Sequence, residues 1–194
     1  MTSKVIQLAA TCCLLISSTF LCTSCATTDL VGYPDNLWPA LRFDPTCEGI
    51  SGSYESLTEE VWPMAAARGS SAKLRESLAY VLAEVSPSSR PENLPTVNRV
   101  EISVSSKKAK LYGAWNDVVD MSRWECSGEG AWVTSINRKA DGELSLDARV
   151  EFRYELRQAA DHSLVVHELA QFSDLSIKGL LRETWYRFLP ASPH

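Results

Sequence analysis

From Val97 onward the side chains alternate with a period of two, and the plainest stretch runs from Leu144 to Arg157. Leu144, Leu146, Ala148, Val150, Phe152, Tyr154 and Leu156 fall on one face, while Ser145, Asp147, Arg149, Glu151, Arg153, Glu155 and Arg157 fall on the other. A helix of 3.6 residues per turn would mix these two sets, whereas a pleated strand with one buried and one wet face separates them. A usual strand has about 5–6 residues, so a run this long predicts strong bending or a curled sheet.

Turn chemistry interrupts the alternation at Ser106-Lys107-Lys108, Ser127-Gly128-Glu129-Gly130, Ala140-Asp141-Gly142 and Ala160-Asp161-His162. Connections this short join antiparallel neighbours. Strands are expected near residues 51–56, 99–105, 110–115, 118–126, 131–136, 144–157, 164–172 and 180–188. Before them, Leu74, Leu78, Val81, Leu82 and Val85 recur at helical spacing with Arg75, Glu76 and Glu84 off the stripe, up to the stop at Ser86-Pro87. The expected fold is mainly β (α+β): an antiparallel meander of about six to eight strands, barrel-like or half-barrel, with one amphipathic helix near 71–85.

With 194 residues, 45% hydrophobic and 22% charged, the chain is neither a disordered polymer nor a multi-pass membrane protein. Its formal charge of -5 argues against nucleic acid as a partner, because phosphate-binding surfaces work through Lys and Arg. The first 25 residues carry one charge, Lys4, ahead of an uncharged stretch containing Leu14-Leu15-Ile16 and Phe20-Leu21, the layout of a secretory signal. Residues 26–46, with Pro34, Pro39 and Pro45, read as a tether that gains order near Leu37-Trp38 and Phe43. Residues 47–190 then form a single β-rich domain.

The signal ends in Leu21-Cys22-Thr23-Ser24-Cys25, which resembles the processing site of bacterial lipoproteins. By that resemblance the cut falls before Cys25, and Cys25 receives the lipid that anchors the protein to a membrane. Ala26 stands where the family's inner-membrane retention signal would place Asp, which implies the periplasmic face of the outer membrane. A simple cleaved signal and an uncleaved span are the alternatives. Cys12, Cys13 and Cys22 leave with the signal and Cys25 is consumed by the anchor, so Cys47 and Cys126 remain for one disulfide in an oxidising compartment.

Catalytic patterns are weak. Ser51 sits among glycines in Gly49-Ile50-Ser51-Gly52-Ser53, but the hydrolase elbow needs Gly where Ser53 stands. A metal site from Asp161, His162, His167 and Glu168 is disfavoured by the odd spacing of the two histidines, which would put them on opposite faces of one strand. Glu59-Glu60, Glu125 and Glu129 read as solvated charges, and Lys107, Lys108 and Lys110 as an ordinary hairpin turn. No cofactor motif is present. The unusual feature is tryptophan at 38, 62, 115, 124, 132 and 185. Most of these rings are expected to fill the core, with Trp124 beside the disulfide and Trp185 closing the sheet. In a small barrel, Trp124, Trp132 and Trp185 with Phe152 and Tyr154 would instead line an apolar ligand cavity.

Two resemblances extend past the signal. Cys47-Glu48-Gly49-Ile50-Ser51-Gly52-Ser53-Tyr54-Glu55, with Trp185-Tyr186-Arg187-Phe188, resembles a loose group of proteobacterial outer-membrane lipoproteins to which no activity is attached. Gly52-Ser53-Tyr54 with Arg182 or Arg187 is similar to the Gly-x-Trp and Arg pair of lipocalin-type barrels, which implies a carrier of an apolar ligand. Together these readings give a lipid-anchored envelope protein with a non-enzymatic binding or structural role, through an envelope protein partner or an apolar ligand. An apolar-ligand carrier is the first alternative. An envelope hydrolase built on Ser51 and His167 is the second.

Overall fold

The computed structural model describes residues 28–29, 32–58, 60–63, 77–86, 96–114, 116–139, 149–173 and 178–192. Cys25, Trp115, the helical stripe at 71–76 and Leu144–Ala148 lie outside the described residues. The described strands are β1 Thr28–Asp29, β2 Gly52–Glu55, β3 Glu60–Trp62, β4 Val97–Ser103, β5 Lys108–Gly113, β6 Asp117–Asp120, β7 Glu125–Cys126, β8 Trp132–Lys139, β9 Arg149–Gln158, β10 Leu164–Ser173 and β11 Lys178–Phe188. Among the described residues one α-helix, α1, spans Leu78–Val85. Among the described residues no helix is long and apolar enough to cross a membrane.

The protein is mainly β, in two sheets that do not close into a barrel. The larger is a meander in the order β7-β8-β9-β10-β11, with β1 and β3 sharing the far edge of β11. The smaller has the order β2-β4-β5-β6. Pairing is antiparallel except for the two-residue β1 beside β11. The segment expected as one strand at 118–126 is two, because the chain turns at Met121–Trp124 and passes from the smaller sheet to the larger.

Pleat parity places the core. Tyr54, Val100, Ile102, Ala109, Leu111 and Val119 of the small sheet join Val150, Phe152, Tyr154, Leu156, Leu164 and Val166 of the large one in a single buried cluster. On β9 the outward residues between them are the charged ones, so the alternation read from 149 to 157 survives as burial. In helix α1 the expected stripe of Leu78, Val81, Leu82 and Val85 faces the core. Leu78, Ala79, Val81, Leu82, Ala83 and Val85 are all buried, and the Glu84 side chain is only 2% exposed. Glu84 is held there by an ion pair with Arg138 of β8 and by the Tyr154 hydroxyl, which donates to it at 3.0 Å. A buried carboxylate needs such partners, and these two turn the expected polar side of the helix inward.

Cys47 and Cys126 form a disulfide with Cα atoms 5.9 Å apart. It joins the end of the N-terminal segment to β7. Close approach at this joint depends on Gly130, whose φ is +76° and where a Cβ would fall 2.7 Å from the Asp44 nitrogen.

Candidate functional site

The outward side of the large sheet carries a continuous row across five strands. The register aligns Val133, Glu155, His167, Trp185 and Trp62 on β8, β9, β10, β11 and β3. His167 lies flat on Trp185, with ring centroids 3.9 Å apart and planes 8° from parallel. Its Nε2 is 2.8 Å from Glu183 Oε1, out of line for a full hydrogen bond, and its Nδ1 is 3.7 Å from Glu155 Oε2. That imidazole contact is the main reason the Glu155 carboxyl is held down to about 2, with Arg157 and Arg153 adding attraction against the opposing effect of burial.

The next row is an ion-pair set. Arg187 contacts Glu60, donates to Asp161 at 2.5 Å and to Ser163 Oγ at 3.1 Å. Glu60 is brought to it by β3, an element that the period-two reading did not anticipate because three residues are too few to show a period.

This face is covered by the chain's own residues 32–44, which form a strap. The Gly32 N–H donates to Glu183 Oε2 at 2.9 Å. Tyr33 sets its ring edge-on to both Trp38 and Trp185. These rings, Leu41 and Trp62 pack on Ala159, Val165 and Trp185 as a second, smaller apolar cluster. Arg42 donates to Gln158 Oε1 at 3.3 Å and to the Ala160 carbonyl at 3.1 Å. Trp38 packs in the smaller apolar cluster, whereas Leu37 and Phe43 are 63% and 72% exposed.

Of the five residues expected to line one cavity, Phe152, Tyr154, Trp124 and Trp132 share the core cluster and Trp185 stands apart from it. Phe152 and Tyr154 stack on each other inside the core, with centroids 6.2 Å apart. Trp124 and Trp132 pack at 5.6 Å, also buried. Trp185 points to the opposite side of the sheet and belongs to the strap cluster. Trp185 also stands inside the sheet, flanked by β10 and β3, and does not close its end. The interior between the sheets is therefore occupied by side chains.

His167 and Glu168, adjacent on β10, face outward and inward respectively; Glu168 is buried beside its register partners Tyr154 and Thr184. His162 sits in the turn, 3.5 Å from Arg42. Among the described residues no group of three or more His, Cys, Asp or Glu is placed to hold a metal ion. Ser51 immediately precedes β2 of the small sheet, where its hydroxyl accepts the Val104 N–H at 3.0 Å, while His167 stands on β10 of the large sheet. Tyr54 is buried with its hydroxyl donated to the Ile50 carbonyl, while Arg187 is spent on the far side of the large sheet.

A different surface, which sequence reasoning missed, lies on the outward side of the small sheet. A groove of about 650 Å³ opens there, lined in part by Glu55, Arg99 and Tyr112. These residues were legible only as wet-face positions, since the cross-strand register that gathers them depends on strand pairings that skip β3.

The chain matches no protein-family model, no curated protein and no solved structure.

Proposed function

We propose that this chain is a lipid-anchored protein of the bacterial cell envelope. Cys25 holds it to the periplasmic face of the outer membrane, and the β-rich domain works through binding and not through catalysis. The observation that carries this reading is the Cys47–Cys126 disulfide, because such bonds persist in oxidising compartments and the bond follows directly on the segment leaving the anchor. The strap adds an orientation. Residues 32–44 are fixed to the outward side of the large sheet, so the anchor draws on that side and the small sheet is left to meet partners. Anchoring at one leaflet raises local concentration, so weak contacts suffice.

Binding without catalysis is supported by the separation of Ser51 from His167, the one nucleophile and base pair in the sequence that invited a hydrolase reading. Fractionation of cells expressing Cys25→Ala tests the anchor. The variant is expected in the soluble periplasmic fraction, and unchanged sedimentation with outer membranes would overturn the reading.

A further inference from the structure

The register sets Glu55, Arg99 and Tyr112 side by side on β2, β4 and β5, and with Leu57, Asn98 and Asn116 they line the groove. Its volume of about 650 Å³ is within the range of sites that hold small ligands. Gly113 is required where β5 ends at the groove, since a Cβ there would fall 2.2 Å from the Thr96 carbonyl oxygen.

Arg99 is the chemically distinctive group. Its guanidinium carbon lies 4.3 Å from the centroid of the Tyr112 ring, a cation–π contact. Glu101 feels Arg99 only as a longer-range attraction and is engaged elsewhere. Glu101 accepts the Tyr112 hydroxyl at 2.6 Å and pairs with Lys110 at 3.4 Å. Glu55 is next to Arg99 in register, yet no ion pair joins the two. Among the described residues Arg99 Nε is buried without a hydrogen-bond partner, so it is the Nη end of the guanidinium that a ligand in the groove would meet.

We infer that this groove binds short peptides through their free C-terminal carboxylate. A stacked guanidinium offers its planar fork to a planar, singly charged acceptor. The Asn98 and Asn116 side chains supply the donors and acceptors that a peptide group needs, and Leu57, 57% exposed, supplies apolar contact. Glu55 and Glu101 beside the site oppose a doubly charged phosphate more than a carboxylate.

The test uses the full chain purified in detergent. It is titrated with a mixed set of N-acetylated tripeptides bearing free carboxylates, with the same peptides as C-terminal amides, and with inorganic phosphate. Heteronuclear NMR follows the Arg99 Nε–H and the Asn98 and Asn116 side-chain amides. The acids are expected to move these signals, and the amides to bind about tenfold more weakly or less. Arg99→Gln should abolish the response at an unchanged thermal midpoint, and Arg99→Lys should restore only part of it. Leu57→Asp, at an exposed position, should weaken binding without touching the arginine. Silence with the acids, equal binding of acids and amides, an equal response to phosphate, or full binding by a folded Arg99→Gln would each overturn the inference. The readout is binding in solution, so its failure leaves the anchoring proposal standing, and failure of the fractionation test leaves this one.

Discussion

On the outward side of the large sheet, charge and aromatic surface are spent on the protein itself. Arg187 is met by Glu60 and Asp161, His167 by Trp185 and two carboxylates, and Glu183 by the backbone of the strap. On the outward side of the small sheet Arg99 has an aromatic ring and, among the described residues, no ion-pair partner, and its neighbours frame an open groove. Both faces come from the same pleated alternation. What separates them, among the described residues, is that the strap lies across one, whereas Ala191 and Ser192 of the C-terminal segment meet the other as part of the groove wall. A wet face becomes structural where the chain satisfies it and remains available for recognition where it does not.

The largest way to break this contrast is at the staple between strap and sheet. Replacing Cys47 and Cys126 together by Ala opens a loop with a sequence separation of 79 residues. The chain-entropy account then expects a loss of up to about 4.5 kcal/mol in unfolding free energy, read by urea titration. A loss below about 1 kcal/mol would mean that the other strap contacts hold the joint unaided. Next in size is Trp185→Ala. This ring carries both His167 and Tyr33, so about 3–4 kcal/mol of stability is expected to go with it. Tryptic cleavage after Arg42 should accelerate at the same time, because the strap loses its platform. Unchanged cleavage would separate the strap from the cluster beneath it.

The sequence made the sheet class, seven of the eight expected strands and the disulfide legible, because period-two alternation and cysteine arithmetic are local or exhaustive signals. Leu144 to Arg157 announced which side of β9 faces inward, and Val150, Phe152, Tyr154 and Leu156 are indeed buried. What stayed illegible was pairing across elements. Glu84 read as a solvent residue because its partners, Arg138 and Tyr154, come from two other strands. The division of one aromatic set into two faces was equally hidden. Trp185 and Tyr154 each alternate correctly in their own strand, and only the register of β9, β10 and β11 shows that they stand on opposite sides. β3 and the strap follow the same rule, for a short segment docks by complementarity that no period records.

A smaller effect probes the electrostatics of the covered face. Glu155 is held near 2 against an ordinary 4.5, and its side chain is 14% exposed. A depressed carboxyl stabilises the fold fully above its unfolded value and loses that contribution as pH falls through the folded one. The loss is therefore expected between about 4.5 and 2, and linkage bounds it at about 3 kcal/mol. Glu155→Gln should be less stable than the parent at neutral pH, and the two should converge across this window. Parallel acid curves for parent and variant would remove His167 and Glu155 as a source of stability.

The smallest expected effect is on the open face, and it sharpens the contrast most. The Tyr112 hydroxyl is the main reason that Glu101 titrates below the ordinary carboxylate range, with Lys110 and Arg99 adding to it. Tyr112→Phe keeps the ring under Arg99 and removes that hydroxyl. The Glu101 carboxyl should then titrate closer to its ordinary value in a carbon-detected NMR titration, with little change in thermal midpoint. Freed of the phenol, Glu101 also becomes a competitor for the neighbouring guanidinium. Peptide acids should accordingly bind more weakly to Tyr112→Phe than to the parent, although the variant removes no group that touches the carboxylate. If Glu101 keeps its low value and peptide binding is untouched, then the phenol is not what keeps Arg99 unpaired. The open face would in that case owe its availability to strand geometry alone.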